Sequence, residues 1–385
     1  MKRYLLAPGP TPVPPEVLAA MSQPIIHHRT PQFSALFAEA AEGLKRVFQT
    51  QQDVLILAAS GTGGMEGAVT NLLSPGDEVV VVNGGKFGQR WLKLCAAYGV
   101  RVHEVVVEWG EAVEPAAVEA CLRAHPGVRA VLMQASETST TALHPVETVA
   151  RLVQRSDTLL IVDGITAVGV LDLPMDRWGV DVLVTGSQKA LMLPPGLAFV
   201  ALSERAWART KGAELPRFYF DLTREREALR KRTTAWTPAI SLIVGLREAL
   251  RLIEAESLPG VFARHARLAE ATRVGVERLG LRLLAPRAPS PAATGIWLPE
   301  GVDGARLVRF LRDEMGVTMA GGQDHLTGKI VRIAHLGHVG AFDVIVGIAA
   351  LEMALARFGH PVAAGQGVGA AQGVLKDEWQ GSGTG

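Results

Sequence analysis

The stretch DVLVTGSQKALMLPPGLAFVAL, residues 181–202, sets two apolar runs, DVLVT (181–185) and LAFVAL (197–202), around a single lysine. Lys189 is the only charged side chain between Asp181 and Glu204. Short apolar runs bounded by Gly and Pro read as strands buried on both faces. A lysine just beyond such a strand is either a solvated turn residue or an amine meant for chemistry. Burial, even in part, would depress its pKa and supply the neutral amine that attacks a carbonyl.

Outward from this stretch the same pattern repeats. Apolar runs at 53–59, 78–82, 101–107, 128–134 and 158–162 read as further strands, and 86–98, 114–124 and 145–155 have helical periodicity between them. Seven such strands with intervening helices predict an α/β protein with a mostly parallel sheet between helices. Beyond about residue 237 the pattern changes. A helix over 238–256, stopped by LPG (258–260), and another over 261–279 precede strand-like 281–285, 294–299 and 329–334, mixed with helices at 303–315 and 340–358. The expected organisation is an extended Pro-rich arm (1–15), a large domain (16–257), a smaller α+β domain (258–360) and a mobile Gly/Ala-rich tail (361–385).

Composition narrows the function classes. The chain has 385 residues, 48% of them hydrophobic and 20% charged, which fits a packed globular protein and excludes disorder. A net charge of +1 with no Lys/Arg-rich run gives no field for nucleic acid. Cys95 and Cys121 lie in helix-like stretches without CxxC spacing, so reduced buried thiols are expected rather than a disulfide framework or zinc site. The apolar run in MKRYLLAPGPTPVPP is too short for a signal peptide, and the most apolar stretch, 158–173, contains Asp163 and Asp172. The expectation is a soluble cytoplasmic protein.

Ligands of open α/β sheets bind at the carboxyl ends of the strands. Three candidates stand there. SGTGGMEGAV (60–69) follows the first strand and opens a helix, whose free amides and partial positive charge suit an anion, best a phosphate. Its third fingerprint position is Glu66, so it is not a dinucleotide loop; no Gly-Lys-Ser/Thr makes it a Walker A loop. Asp163 follows five apolar residues, either capping a turn or holding a ligand's ring nitrogen protonated. Lys189 is the third. A phosphate cup, a carboxylate and an amine are together what pyridoxal phosphate requires.

The segments SGTGGMEGAVTNLLSPGDEVVVVNGGKFGQRW, ETSTTALHP, VDGITAVG and TGSQKALMLPPGLA together resemble the class V aminotransferases, in the branch of alanine–glyoxylate and serine–pyruvate (serine–glyoxylate) enzymes. The likeness runs from LLAPGPTPVPP to the helix ending near 358. It implies a fold-type-I transferase using pyridoxal 5'-phosphate. On the matching positions, Lys189 is the Schiff-base lysine, Gln188 a phosphate-side contact, Asp163 the partner of the pyridine nitrogen and Ile165 the residue under the ring. Ser60, Gly61 and Thr62 form the phosphate cup, and Thr138 lies near the ring's phenolic oxygen. Thr237 reaches a phosphate from a second subunit, which implies a homodimer. Arg332 clamps the substrate carboxylate, with Gly9 across the pocket helping through its backbone.

Three positions depart from the family pattern. Phe87 stands where the ring-stacking residue is often Trp, Thr140-Thr141 replaces a Thr-Gly pair, and Thr234 stands where a tyrosine is common. His27, His28 and Arg29 either line the substrate mouth or form a solvated loop; no third ligand suggests a metal. The expected activity is ping-pong transfer of an amino group from serine or alanine to glyoxylate or pyruvate. The rivals are a cysteine desulfurase-like lyase on the same fold and a non-catalytic dimeric binding subunit.

Overall fold

A computed structural model describes residues 2–376. Two helices, α1 (Pro15–Met21) and α2 (Pro31–Phe48), precede a seven-stranded sheet. Its strands are β1 (Val54–Leu57), β2 (Glu78–Asn83), β3 (Arg101–Val106), β4 (Ala130–Gln134), β5 (Leu159–Asp163), β6 (Val182–Gly186) and β7 (Ala198–Leu202). They lie in the order β1-β7-β6-β5-β4-β2-β3, with β7 antiparallel to both neighbours and the other pairings parallel. All seven apolar runs read as strands before residue 237 enter this sheet. Alternation within a run divides the core: Val80 and Val82 pack into the layer of α1 and α2, while Val79 and Val81 pack into the layer of α3 (Gly61–Leu72) and α4 (Lys86–Ala97). Helices thus cover both faces, as continuous apolar strands require.

A second, antiparallel sheet of four strands has the order Arg282–Leu283, Ala293–Trp297, Ile330–Ala334, Ala320–Gly321. It sets Arg332 between Gly295 and Ala320. The N-terminal arm joins the two sheets. Tyr4 and Leu5 pair in parallel with Val317 and Thr318, and Ala334 N donates to Leu6 O at 2.8 Å. Further along, Thr11 N and Oγ1 donate to Gln188 O at 3.2 Å and Lys189 O at 2.9 Å. No helix among the described residues is long and apolar enough to cross a membrane.

Two expectations need correction. LPG does not lie between helices: Leu258, Pro259 and Gly260 are the first turn of the helix Leu258–Arg278. Ser257, at φ 68°, caps that turn by accepting from Gly260 N at 3.2 Å, and proline fits a first turn that needs no amide. The tail is the second. Gln366–Leu375 is a helix with Gly367, Ala371 and Leu375 buried. The buried carboxylate of Glu352 receives Gly365 N at 2.9 Å, Gly367 N at 2.7 Å and Val368 N at 3.1 Å. A Cβ on Gly367 would come within 2.7 Å of Gly275 O, so the small residues allow two helices to touch backbone to backbone. The Gly/Ala content that suggested mobility is what permits this packing. Residues 377–385 of the expected tail lie outside the described residues.

The Glu352 contact is open to test. Glu352→Ala should leave three helix-terminal amides without an acceptor, at a cost of about 1–3 kcal/mol. Amide hydrogen exchange over 366–375 should accelerate selectively; unchanged protection there would show that the carboxylate does not hold the helix.

Candidate active site

The carboxyl ends of β1, β5 and β6 lie at one end of the sheet, β5 and β6 as parallel neighbours and β1 beyond the antiparallel β7. Asp163 is the last residue of β5 and is 4% exposed. Its Oδ1 accepts from Ile165 N at 2.8 Å. Burial pushes its carboxyl up to about 7, against the pull of that amide; Glu137 adds to the rise, and the Arg90 and Lys189 charges oppose it. Lys189 is 9% exposed. Burial pushes its amine down to about 8, resisted by Asp163 and assisted by Arg332 and Arg90. The two groups therefore feel each other's charge, and both are driven toward neutrality by the same dry surroundings.

The N-terminal arm closes over the lysine. Lys189 Nζ donates to Pro8 O. Gly9, at φ 134°, packs so closely on Nζ that any Cβ would collide with it. Glycine is needed there both for the left-handed backbone and for the approach.

The cup at the start of α3 is built as an anion site. Ser60 is the N-cap but makes no side-chain cap bond, and among the described residues Gly61 N and Thr62 N have no acceptor. Gly61 rests against Ile165 Cδ1, just past Asp163. Arg90 Nη1 donates to Thr62 Oγ1 at 3.0 Å, and its guanidinium lies 4.7 Å from the centroid of the half-buried Phe87 ring. Gln188 Oε1 is buried without a partner, beside Gly186. Free amides and a guanidinium suit a phosphate, which accepts from both. With Lys189 and Asp163 alongside, these residues fit pyridoxal phosphate.

Arg332 reaches this group from the second sheet. Its Nη1 donates to Thr138 O at 2.7 Å, while Nε and Nη2 donate to Gly321 O at 3.1 and 2.9 Å. Burial pushes its guanidinium down to about 10, opposed by Glu137. Three of the five N–H donors of an arginine are thereby used, and two remain for a carboxylate. Thr138 Oγ1 lies 2.8 Å from Thr166 Oγ1, which keeps this turn against the segment after β5.

Thr237 is apart from these residues. It is exposed in a crevice with Ile56, Ala58, Leu197, Tyr219 and Trp236. His27, His28 and Arg29 form the loop between α1 and α2, with the two histidine rings 4.7 Å apart and the backbone closed on His27. A group with metal-ligand atoms, Glu78, His103 and His125, lies at the amino ends of β2 and β3, opposite to the site's end of the sheet. There Glu78 already binds His103 at 2.7 Å and Arg101 at 2.7 Å.

Sequence reasoning missed Glu137, Arg90 and the Pro8 carbonyl. Glu137 carried the same signal as Lys189, being the only Asp, Glu, Lys or Arg between Arg129 and Glu147, just beyond a strand. Arg90 lies within a polar helical stretch and had none. At the lost glycine, Thr141 takes φ 60°, a left-handed conformation that a β-branched residue seldom adopts. Its N donates to Glu137 O at 2.7 Å and its Oγ1 accepts from Gly295 N at 3.0 Å, contacts that hold it there.

Comparison with known proteins places this geometry. The model of the family described as aminotransferase class-V matches residues 3–337. A protein of Synechococcus sp. (strain PCC 6716) named soluble hydrogenase, small subunit, is 44% identical over 97% of this chain and 98% of its own. The L-aspartate–glyoxylate aminotransferase of Paracoccus denitrificans is 39% identical over 96% of this chain and 95% of its own. The crystal structure of ureidoglycine–glyoxylate aminotransferase from Bacillus subtilis superposes with a TM-score of 0.93 at 30% identity, covering 98% of each chain. The chain belongs to the class V aminotransferases, and pyridoxal 5'-phosphate is the cofactor of that family.

Proposed function

We propose that this protein transfers an amino group from a small amino acid, serine or alanine, to a small 2-oxo acid, glyoxylate or pyruvate, by ping-pong turnover. The observation that carries the reading is the burial of Lys189 and Asp163 in one charge-coupled pocket beneath Gly9. Bound pyridoxal phosphate supplies an aldehyde for the amine and a ring that takes up electron density from the donor's α-carbon. Lys189 Nζ would take the proton from the donor's α-carbon and return it to the cofactor's former aldehyde carbon, on the other side of the amino nitrogen. Asp163 holds a proton on the ring nitrogen. The amides of Gly61 and Thr62, with Ser60 and Gln188, bind the phosphate. Phe87 would hold the ring by stacking, Ile165 by apolar contact and Thr138 through its phenolic oxygen.

Arg332 binds the donor's carboxylate with its two remaining N–H groups, helped by the backbone at Gly9. Both transaminases named above take glyoxylate in their names and differ in donor. The second subunit of a homodimer brings Thr237 to the phosphate. Exposed Phe218 and Tyr219 with Trp236, an aromatic cluster beside Thr237, suit burial against another copy.

The rivals fit less well. A desulfurase needs an accessible thiolate, whereas Cys95 is fully buried in α4 with its thiol pushed up to about 12, and burial raises the thiol of half-buried Cys121 as well. Two cysteines also fall short of the four thiolates that hold an iron–sulfur cluster, so the hydrogenase name of the Synechococcus relative finds no ligand set in this chain.

Mixing the cofactor-loaded protein with a panel of amino acids should bleach its visible band with serine or alanine. Absence of bleaching by every amino acid would reject transamination. Lys189→Ala should abolish the visible band of lysine-bound cofactor, and a borohydride-reducible lysine adduct in that variant would refute the assignment. Asp163→Asn should slow α-proton removal by roughly 100-fold or more in single turnover while the protein stays folded. Uptake of pyridoxal phosphate by the unloaded protein should accelerate with rising pH about a midpoint near 8, where Lys189 loses its proton. A pH-independent rate from pH 6 to 9 would count against a neutral Lys189 as nucleophile.

A further inference from the structure

Glu137 is fully buried, yet the proposed chemistry does not use it. Four donors converge on its carboxylate. Phe87 N and Gly88 N donate to Oε2, each at 3.0 Å, and Ser139 N and Oγ donate to Oε1 at 3.1 and 2.5 Å. The three N–H groups require an acceptor at both oxygens, which a carboxylate supplies; a glutamine would turn N–H against N–H at one oxygen's place. Burial pushes the Glu137 carboxyl up, while the bonds from Ser139, Gly88 and Phe87 pull it down and the N-terminus of α4 favours the charged form. Space has been cleared for it as well: a Cβ on Gly85 would lie 2.5 Å from Glu137 Cδ. The backbone at Gly85 is extended, so what its lack of a side chain provides is room alone.

The main chain of the same turn holds the opposite side of the site. Glu137 O accepts from Thr140 N and Thr141 N at 3.1 and 2.7 Å, and Thr138 O accepts from Arg332. One turn therefore joins the aromatic residue at the start of α4 to the guanidinium of the second sheet. We infer that Glu137 is a positioning residue that fixes the Phe87 ring relative to Arg332, and so sets the cofactor plane against the substrate carboxylate. This rests on the cofactor reading above, because it takes Phe87 to stack on the ring.

The test uses the protein loaded with pyridoxal phosphate and the variants Glu137→Gln, Phe87→Leu and their combination. Glu137→Gln should weaken cofactor affinity roughly tenfold, the scale of a lost charged hydrogen bond. It should also reduce the visible circular dichroism of the bound cofactor, and raise KM for L-alanine or L-serine more than it lowers kcat. In the Phe87→Leu background the same change should weaken affinity less than about threefold, since the ring it positions is gone. A merely structural role would lower stability without this non-additivity. Gly85→Ala keeps the charge but displaces the carboxylate, so it should reproduce the affinity loss even where Glu137→Gln fails to fold. Affinity within about twofold of the parent in both variants, or effects that multiply independently, would overturn the inference. A parent protein that takes up no pyridoxal phosphate would instead overturn the cofactor reading itself.

Discussion

An ammonium group held away from water is the constraint around which this site is arranged. Lys189 is nearly enclosed, and a charge in that position is costly unless it is paired or given up. The protein does both in part. Asp163 draws the proton toward the lysine, while desolvation drives it off, and the amine is left within reach of neutrality at ordinary pH. The carboxylate bears the complementary penalty, and among the described residues its one hydrogen bond is that from Ile165 N. The enclosure comes largely from the N-terminal arm, whose Pro8 carbonyl and side-chain-free Gly9 lie on the amine.

That arm cannot sit there unaided. It is tied at one end to the strand Val317–Thr318 through Tyr4 and Leu5 and to the second sheet through Leu6, and at the other to the lysine loop through Thr11. The surroundings of the amine thus depend on how the two sheets meet. The turn at 137–141 makes the second connection between them, through Thr138 and Arg332 and through Thr141 and Gly295. Holding Thr141 at φ 60° costs on the order of 1–3 kcal/mol. Strain of this kind persists where neighbouring contacts over-determine the backbone, as the bonds to Glu137 O and from Gly295 N do here.

Much of the fold was legible because it rests on local pattern. Continuous apolar runs named all seven strands of the large sheet, and the residues just past them named Lys189, Asp163 and the cup at Ser60–Thr62. The errors share a cause. Gly and Ala at 366–375 were read by composition as a mobile tail, but small residues also allow close helix packing, and only the partner helix shows which applies. LPG was read as a stop, although proline is equally at home in a first turn. Glu137 is isolated among uncharged residues, but its role rests on partners, Phe87 and Gly88, that lie 50 and 49 residues away.

By itself the sequence determined the α/β class, the strand-end placement of amine, carboxylate and anion cup, and through its motifs the family and cofactor. These follow from patterns a few residues long, in which burial and backbone geometry are set by near neighbours. Which groups face one another was decided by the tertiary structure. Pro8 meets Lys189 across 181 residues, and Thr138 meets Arg332 across 194. No local preference specifies such pairs, because they arise only when packed sheets bring distant segments into contact.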